Sequence, residues 1–179
     1  MRVITGKARG TTLRTLEGIN VRPTTDKVKE AVFSAFQFEI EGRRILDLFA
    51  GSGQLGIEAL SRDAKHAVFV DADKNAIKVI KENLAKTKLE GFSTVIQSDS
   101  ITFLSMTDKT FDIAFLDPPY ETGLLQKALS KIGGCIAEGG AVICEHPFKE
   151  ELADEYDGLV RVKDYKYSKT AVTVYRKEG

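Results

Sequence analysis

The sequence predicts an α/β fold: a doubly wound, mostly parallel sheet of seven strands that ends in an antiparallel hairpin. Three observations predict it. A glycine-rich turn, Asp47-Leu48-Phe49-Ala50-Gly51-Ser52-Gly53-Gln54-Leu55-Gly56, lies between a strand-like run at 43–49 and a helix-like run at 54–62. Beyond it, apolar runs at 66–71, 92–97, 110–116 and 139–145 alternate with helical patterns at 73–87, 99–106 and 123–137. Such alternation builds βα units whose strands are covered on both faces. Lastly, 159–168 and 170–176 are both β-like, with only a short hinge around Lys169 between them. A hinge that short joins antiparallel strands, not another βα repeat.

Taken in order, the chain begins with β-prone runs at 2–5 and 11–14 around Gly6-Lys7-Ala8-Arg9-Gly10, the pattern of a small hairpin. Arg22-Pro23-Thr24-Thr25-Asp26 then opens a helix. Pro23 fixes the approach, Thr25 caps, and Asp26 suits the positive end of the helix. Val28, Ala31, Val32, Ala35 and Phe36 make its apolar face. Arg22 and Thr24 stand at the junction as groups available to a carboxylate or phosphate. Further on, Ile77, Ile80 and Leu84 recur at helical spacing with lysines opposite, so that helix packs on the sheet. Gly139-Gly140 reads as the break between the last long helix and its strand. Repeats, low-complexity tracts and linkers are lacking. We expect one domain, 1–179, with a hairpin–helix extension over 1–40 and a ligand-binding core over 43–179.

Composition narrows the class. The 179 residues are 42% hydrophobic and 29% charged, ordinary for a globular chain. The apolar runs all fall short of the roughly 18–20 residues of a membrane span, and the first residues lack the apolar core of a signal peptide. Cys135 and Cys144 show no metal spacing, and Cys144 sits in an apolar run as a reduced core thiol. A cytoplasmic protein without metal or membrane partner is expected, with oligomeric state open and a monomer favoured. Net charge is zero but unevenly spread. Residues 1–29 hold seven Lys/Arg against two acids, and residues 159–179 hold six against two. Basic ends on an acidic body suggest a nucleic-acid face or, equally, scattered solvated charge.

Two stretches carry the chemistry. In the first, Gly51, Gly53 and Gly56 satisfy the spacing G-x-G-x-x-G, and Asp71 follows at the end of the next strand. A strand, tight turn and helix aim backbone N–H groups at a ligand. Gly51 and Gly53 allow close ligand approach, Gly56 allows close helix–strand packing, and the acid suits ribose hydroxyls. Dinucleotide and S-adenosylmethionine enzymes share this pattern. The second stretch, Asp117-Pro118-Pro119-Tyr120, follows the strand 110–116 at its carboxyl end, where open α/β sheets bind ligands. Two prolines remove two N–H donors and stiffen the loop while leaving carbonyl acceptors. An acid, free carbonyls and an aromatic ring suit a flat base with an exocyclic amine. Tyr120 would stack on the ring, while Asp117 and the Pro118 carbonyl accept from the amine. Acceptors are needed because the amine lone pair is delocalised into the ring. Accepting its protons favours a pyramidal nitrogen able to attack a methyl group, and positioning then supplies most of the catalysis.

D-P-P-Y resembles the signature of S-adenosylmethionine-dependent methyltransferases acting on base amines. More closely, Thr5-Gly6-Lys7-Ala8-Arg9-Gly10, Arg22-Pro23-Thr24-Thr25-Asp26-Lys27-Val28-Lys29-Glu30 and the run Asp47–Arg62 resemble the bacterial 16S ribosomal RNA guanine-N2 methyltransferase family. The resemblance spans about residues 2 to 146. It implies a Rossmann-like methyltransferase sheet, S-adenosyl-L-methionine as methyl donor, and ribosomal RNA or the small ribosomal subunit as partner. It implies that Gly51, Ser52 and Gly53, with Asp47, Ala50 and Thr24 around them, hold the methionine part of the donor. Asp71 would take the ribose, Ser98 and Asp99 the adenine edge, and Asp117 to Tyr120 the guanine. Lys7, Arg9 and Arg22 are the expected RNA contacts. Position 71 is Asp where many relatives have Glu, and position 8 is Ala where some carry an aromatic.

Three other functions fit part of the pattern. Adenine-N6 methylation of DNA uses the same D-P-P-Y chemistry, but 179 residues leave no room for a target-recognition domain. The glycine turn alone also allows an NAD-dependent oxidoreductase. A non-catalytic RNA-binding scaffold would need the basic ends and not Asp117. His66 and His146 are expected at a strand edge and in a loop. Glu145, at the end of its strand, either borders the substrate pocket or caps the strand.

Overall fold

The computed structural model describes residues 1–16 and 25–179. Arg22 and Thr24 therefore lie outside the described residues. The strands are β1 (Arg44–Leu48), β2 (His66–Asp71), β3 (Ser93–Gln97), β4 (Phe111–Leu116), β5 (Ile136–Pro147), β6 (Glu155–Tyr156), β7 (Leu159–Tyr167) and β8 (Thr170–Lys177). They form one sheet in the order β3-β2-β1-β4-β5-β8-β7-β6. The first five are parallel, and β8, β7 and β6 add antiparallel pairings. The seven expected strands are present in the expected sense. The added one, β6, is a two-residue pairing of Glu155 with Val160 and Tyr156 with Leu159, too short to leave a periodic signal.

Helices α1 (Asp26–Ala35), α2 (Gln54–Ser61) and α3 (Lys74–Thr87) share one apolar cluster. There Phe33, Ile57 and Ile80 meet Ile45, Phe69, Phe115 and Ile143 of the sheet. Helices α4 (Ser100–Met106) and α5 (Leu124–Ile132) cover the other face, where Phe103, Leu125 and Leu129 meet Leu46, Val68, Leu116 and Cys144. Neighbours along each strand alternate between the two clusters, as the period of two requires. Buried alternately on both faces, β1, β2 and β4 read as near-continuous apolar runs, while the edge strand β3 is only half-buried.

Several boundaries differ from expectation. Helix α5 stops at Ile132, a 3₁₀ turn spans Gly133–Cys135, and β5 already begins at Ile136. The expected break at Gly139-Gly140 lies inside the strand. There the β4–β5 register shifts between Phe111 and Ile113, and the Gly140 position leaves no room for a side chain beside the Asp112 carbonyl. On α1 the buried set is Val28, Lys29, Val32 and Phe33, with Ala35 exposed. The N-terminal hairpin reduces to one bridge, Arg2 with Thr12, because Ile4 and Thr5 donate their N–H groups to Glu58 of α2 instead. His146 is a buried strand residue, not a loop residue, and its Nε2 lies 2.8 Å from Thr173 Oγ1.

Both cysteines are buried and free. Burial pushes the Cys135 thiol up to about 11 and that of Cys144 higher still. Since the thiolate is the nucleophile, both should resist alkylation by iodoacetamide at pH 8 in the native protein and react fully in denaturant. Mass spectrometry of the intact chain reads the outcome, and fast native labelling would contradict the packing of β5.

Candidate active site

A cavity of about 750 Å³ opens at the carboxyl edge of the sheet. It lies where the strand order reverses between β1 and β4, the position at which open α/β sheets take ligands. Four strand ends wall it: Phe49 and Gly51 after β1, Asp71 to Asp73 after β2, Ser98 to Ser100 after β3, and Asp117 to Tyr120 after β4.

The glycine turn is held from below and from the side. Asp47, 2% exposed, accepts the N–H of Gly56 at 2.9 Å and so ties the first turn of α2 to β1. Burial raises its carboxyl well above the ordinary range, and the nearby Asp117 and Asp71 charges push the same way. Gly56 has no space for a side chain, because a Cβ there would lie 2.3 Å from the Phe69 ring. The Asn83 amide of α3 donates to the Ser52 carbonyl and to the Arg14 carbonyl, both at 2.9 Å, clamping the turn to the N-terminal segment.

Asp71 lies on the cavity wall with both oxygens engaged by backbone. Oδ2 accepts from Gly51 N and Oδ1 from Asp73 N, each at 2.9 Å. Burial raises its carboxyl, and those N–H groups oppose the rise. Each oxygen keeps lone-pair capacity for a hydroxyl donor. Asp99 caps α4, its Oδ2 accepting from Thr102 N and Oγ1, while Ser98 Oγ donates to the Asp99 carbonyl. On the opposite wall, Tyr120 Oη lies 3.0 Å from Thr170 Oγ1, which joins the D-P-P-Y loop to the start of β8. Thr122 Oγ1 donates to the Pro119 carbonyl and closes the turn.

The structure thus brings Gly51, Asp71, Ser98, Asp99 and Asp117 to Tyr120 around one cavity. Asp47, Ala50, Ser52 and Gly53 do not line it. Asp47 is beneath the turn. Gly53 has φ +83, but a Cβ there would meet Ile80 and Phe69 at 3.4 Å, so its missing side chain faces the core and not the ligand. Lys7 and Arg9 lie elsewhere. Lys7 N donates to the Ser61 carbonyl at the far end of α2, and its ammonium sits 3.7 Å from Asp63 and over the Phe92 ring. That is the opposite edge of the sheet. Among the other cations of the two basic ends, Lys29, Arg161 and Arg176 pair with Glu58, Asp164 and Glu39. Sequence reasoning missed Leu16 and Phe49 on the cavity wall. Phe49 has φ 66, a left-handed conformation costly for an aromatic residue, directly before the turn. Its sequence position carries no sign of this.

Glu145 is buried one step beyond the Leu116–Cys144 register pair, so it neighbours Asp117 across β4 and β5. Both border the crevice under α1. Glu145 is off the wall of the reaction cavity and lies within β5, not at its end. Among the described residues, no group of three His, Cys, Asp or Glu side chains is placed to hold a metal ion, and no helix is long and apolar enough to cross a membrane.

Comparison with known proteins now decides the family. The family described as conserved hypothetical protein 95 matches residues 1–176. The chain belongs to this family. It is 41% identical to YlbH of Bacillus subtilis over the whole of both chains. It is 35% identical to ribosomal RNA small subunit methyltransferase D of Escherichia coli, over 85% of this chain and 77% of that one. A solved Escherichia coli structure, yhhF, superposes with a TM-score of 0.89 at 31% identity, covering 99% of this chain and 98% of the other. The resemblance read from R-P-T-T-D, the glycine turn and D-P-P-Y therefore holds, and family membership carries the Rossmann-like methyltransferase sheet with it.

Proposed function

We propose that the chain transfers a methyl group from S-adenosyl-L-methionine to the exocyclic N2 amine of a guanine in small-subunit ribosomal RNA. The observation that carries this reading is a single cavity joining the glycine turn to the D-P-P-Y loop. Its wall bears Asp71, Asp73, Asp99 and Asp117 and, among the described residues, no Lys or Arg. Such a wall attracts a sulfonium cation and repels the two phosphates of a dinucleotide. This separates the methyltransferase from the oxidoreductase that the glycine spacing also allowed.

The residues present fit the donor. In this reading Asp71 would take the ribose hydroxyls, Gly51 would allow close approach of the methionine part, and Ser98 with Asp99 would meet the adenine edge. S-adenosylmethionine supplies an electrophilic methyl group on a positive sulfur. The chain's own part is orientation. Asp117 and the Pro118 carbonyl would accept hydrogen bonds from the two amine N–H groups, Tyr120 would stack on the base, and the prolines hold these acceptors in place before the base arrives. The name of the Escherichia coli relative supports the small subunit as target. A soluble, cytoplasmic enzyme acting as a monomer accords with this reading.

The test has two arms. Calorimetry should show S-adenosylmethionine binding and none for NAD. Small-subunit RNA incubated with the chain and methyl-labelled donor should then yield labelled N2-methylguanosine on nuclease digestion. Label in N6-methyladenosine would overturn the guanine assignment, and NAD binding alone would overturn the class.

A further inference from the structure

Beside the D-P-P-Y loop, the tip of the β7–β8 hairpin projects past the carboxyl edge of the sheet. Thr170 begins β8 there, pairing with Pro147 on one side and Tyr167 on the other, and it holds Tyr120 Oη at 3.0 Å. The tip is thus fixed to a residue of the reaction cavity. Phe148 follows β5 at this edge, and its N–H donates to the Lys169 carbonyl at 2.9 Å. Its ring is 47% exposed, and Lys166 Nζ stands 5.3 Å from the ring centroid. Phe148 and Lys166 also line a hollow of about 330 Å³ together with Arg161 and the acids Glu150, Glu151 and Asp164, large enough for a base. Lys149 adds a further exposed cation next to Phe148.

An exposed aromatic ring beside lysines offers a stacking face next to positive charge. It matches what a single-stranded nucleic acid presents, a base face followed by a phosphate. The opposite edge, where Lys7 and Arg9 sit, has no such tie to the cavity. We propose that this lip, Phe148 with Lys166 and Lys169, binds the RNA strand flanking the target guanine: one base stacks on Phe148 and the lysines contact adjacent phosphates. The inference rests on the methyltransferase reading and adds to it the path of the RNA strand. Because Thr170 links the lip to Tyr120, a strand held there presents its neighbouring base to the D-P-P-Y loop.

The experiment measures binding and turnover of fluorescein-labelled small-subunit RNA for four variants, with thermal melting to confirm folding. Phe148→Ala should raise the RNA KM on the order of tenfold, leaving kcat at saturating RNA and the affinity for S-adenosylmethionine near native. Phe148→Trp should restore the KM. Lys166→Ala with Lys169→Ala should flatten the dependence of log affinity on log salt by about 1 to 2, whereas Lys7→Ala with Arg9→Ala should leave that slope unchanged. An unaltered KM in Phe148→Ala would overturn the proposal. So would equal losses in the Ala and Trp variants, or flattening by the Lys7 and Arg9 pair alone. Failure of the native chain to methylate RNA would instead strike the functional reading, which the native control reports separately.

Discussion

Asp117→Ala is expected to slow single-turnover methyl transfer by about 10²–10³ while leaving the affinity for S-adenosylmethionine near native. The size follows from the loss of one preorganised electrostatic partner of the transition state. In the proposed reaction Asp117 would stand beside the amine nitrogen on which positive charge builds, and the Pro118 carbonyl alone would not supply both acceptors. The donor side of the cavity, Gly51 and Asp71, is built from other strand ends and does not depend on Asp117. Stability should not fall much either. The Asp117 charge raises the carboxyl of buried Asp47, so its removal relieves a repulsion under the glycine turn.

Asp117→Asn distinguishes acceptance from charge. If hydrogen-bond acceptance is the main service, the amide oxygen retains most of the rate. If the negative charge stabilises the developing cation, the loss approaches that of alanine. Rates at saturating donor and RNA, compared with calorimetric donor affinity, read both. Native turnover in Asp117→Ala would show that the methyl is not delivered at this loop.

The parts of the fold legible in the sequence were those written in periodicity and turn chemistry. Strands β1 to β4 and the D-P-P-Y loop follow from apolar runs that end in glycine, proline or acid, and they sit where expected. Gly56 was readable because its spacing from the strand demands close packing, and Phe69 now fills that space. Gly53 has the positive φ its spacing suggested, but a G-x-G pattern reports freedom of φ, not the direction in which the absent side chain points. The break expected at Gly139-Gly140 falls instead at Gly133-Gly134, because Ile136 already pairs with Phe111 ahead of the register shift. Charge was the least legible feature. A lysine in a sequence carries no sign of whether it meets solvent, an aspartate or a buried glutamate, and Lys29 with Glu58 is the clearest case.

Glu58→Ala should destabilise the fold by about 3–5 kcal/mol, the range for breaking a buried ion pair from one side. Glu58 and Lys29 are both 0% exposed, with Nζ 3.6 Å from Oε1. The same carboxylate accepts Ile4 N at 2.8 Å, Thr5 N at 3.0 Å and Arg62 Nε at 2.9 Å, and Lys29 Nζ donates to the Arg2 carbonyl at 2.8 Å. One side chain on α2 therefore fixes both the N-terminal strand and α1 to the core. Alanine would leave two backbone N–H groups without these acceptors and an ammonium in a dry site. Burial already lowers the Lys29 pKa, and the Glu58 charge opposes that fall; without Glu58 the lysine should shed its proton more readily. A typical domain has only about 5–15 kcal/mol in reserve, so the variant should lose a large part of its denaturation midpoint. Lys29→Met placed on Glu58→Ala should recover some of the loss, since the uncompensated cation is then gone. Urea midpoints for the single and double variants give the coupling. A cost below about 1 kcal/mol for Glu58→Ala, or strict additivity with Lys29→Met, would show that the N-terminal segment is held by Val3 and Leu13 packing and not by this carboxylate.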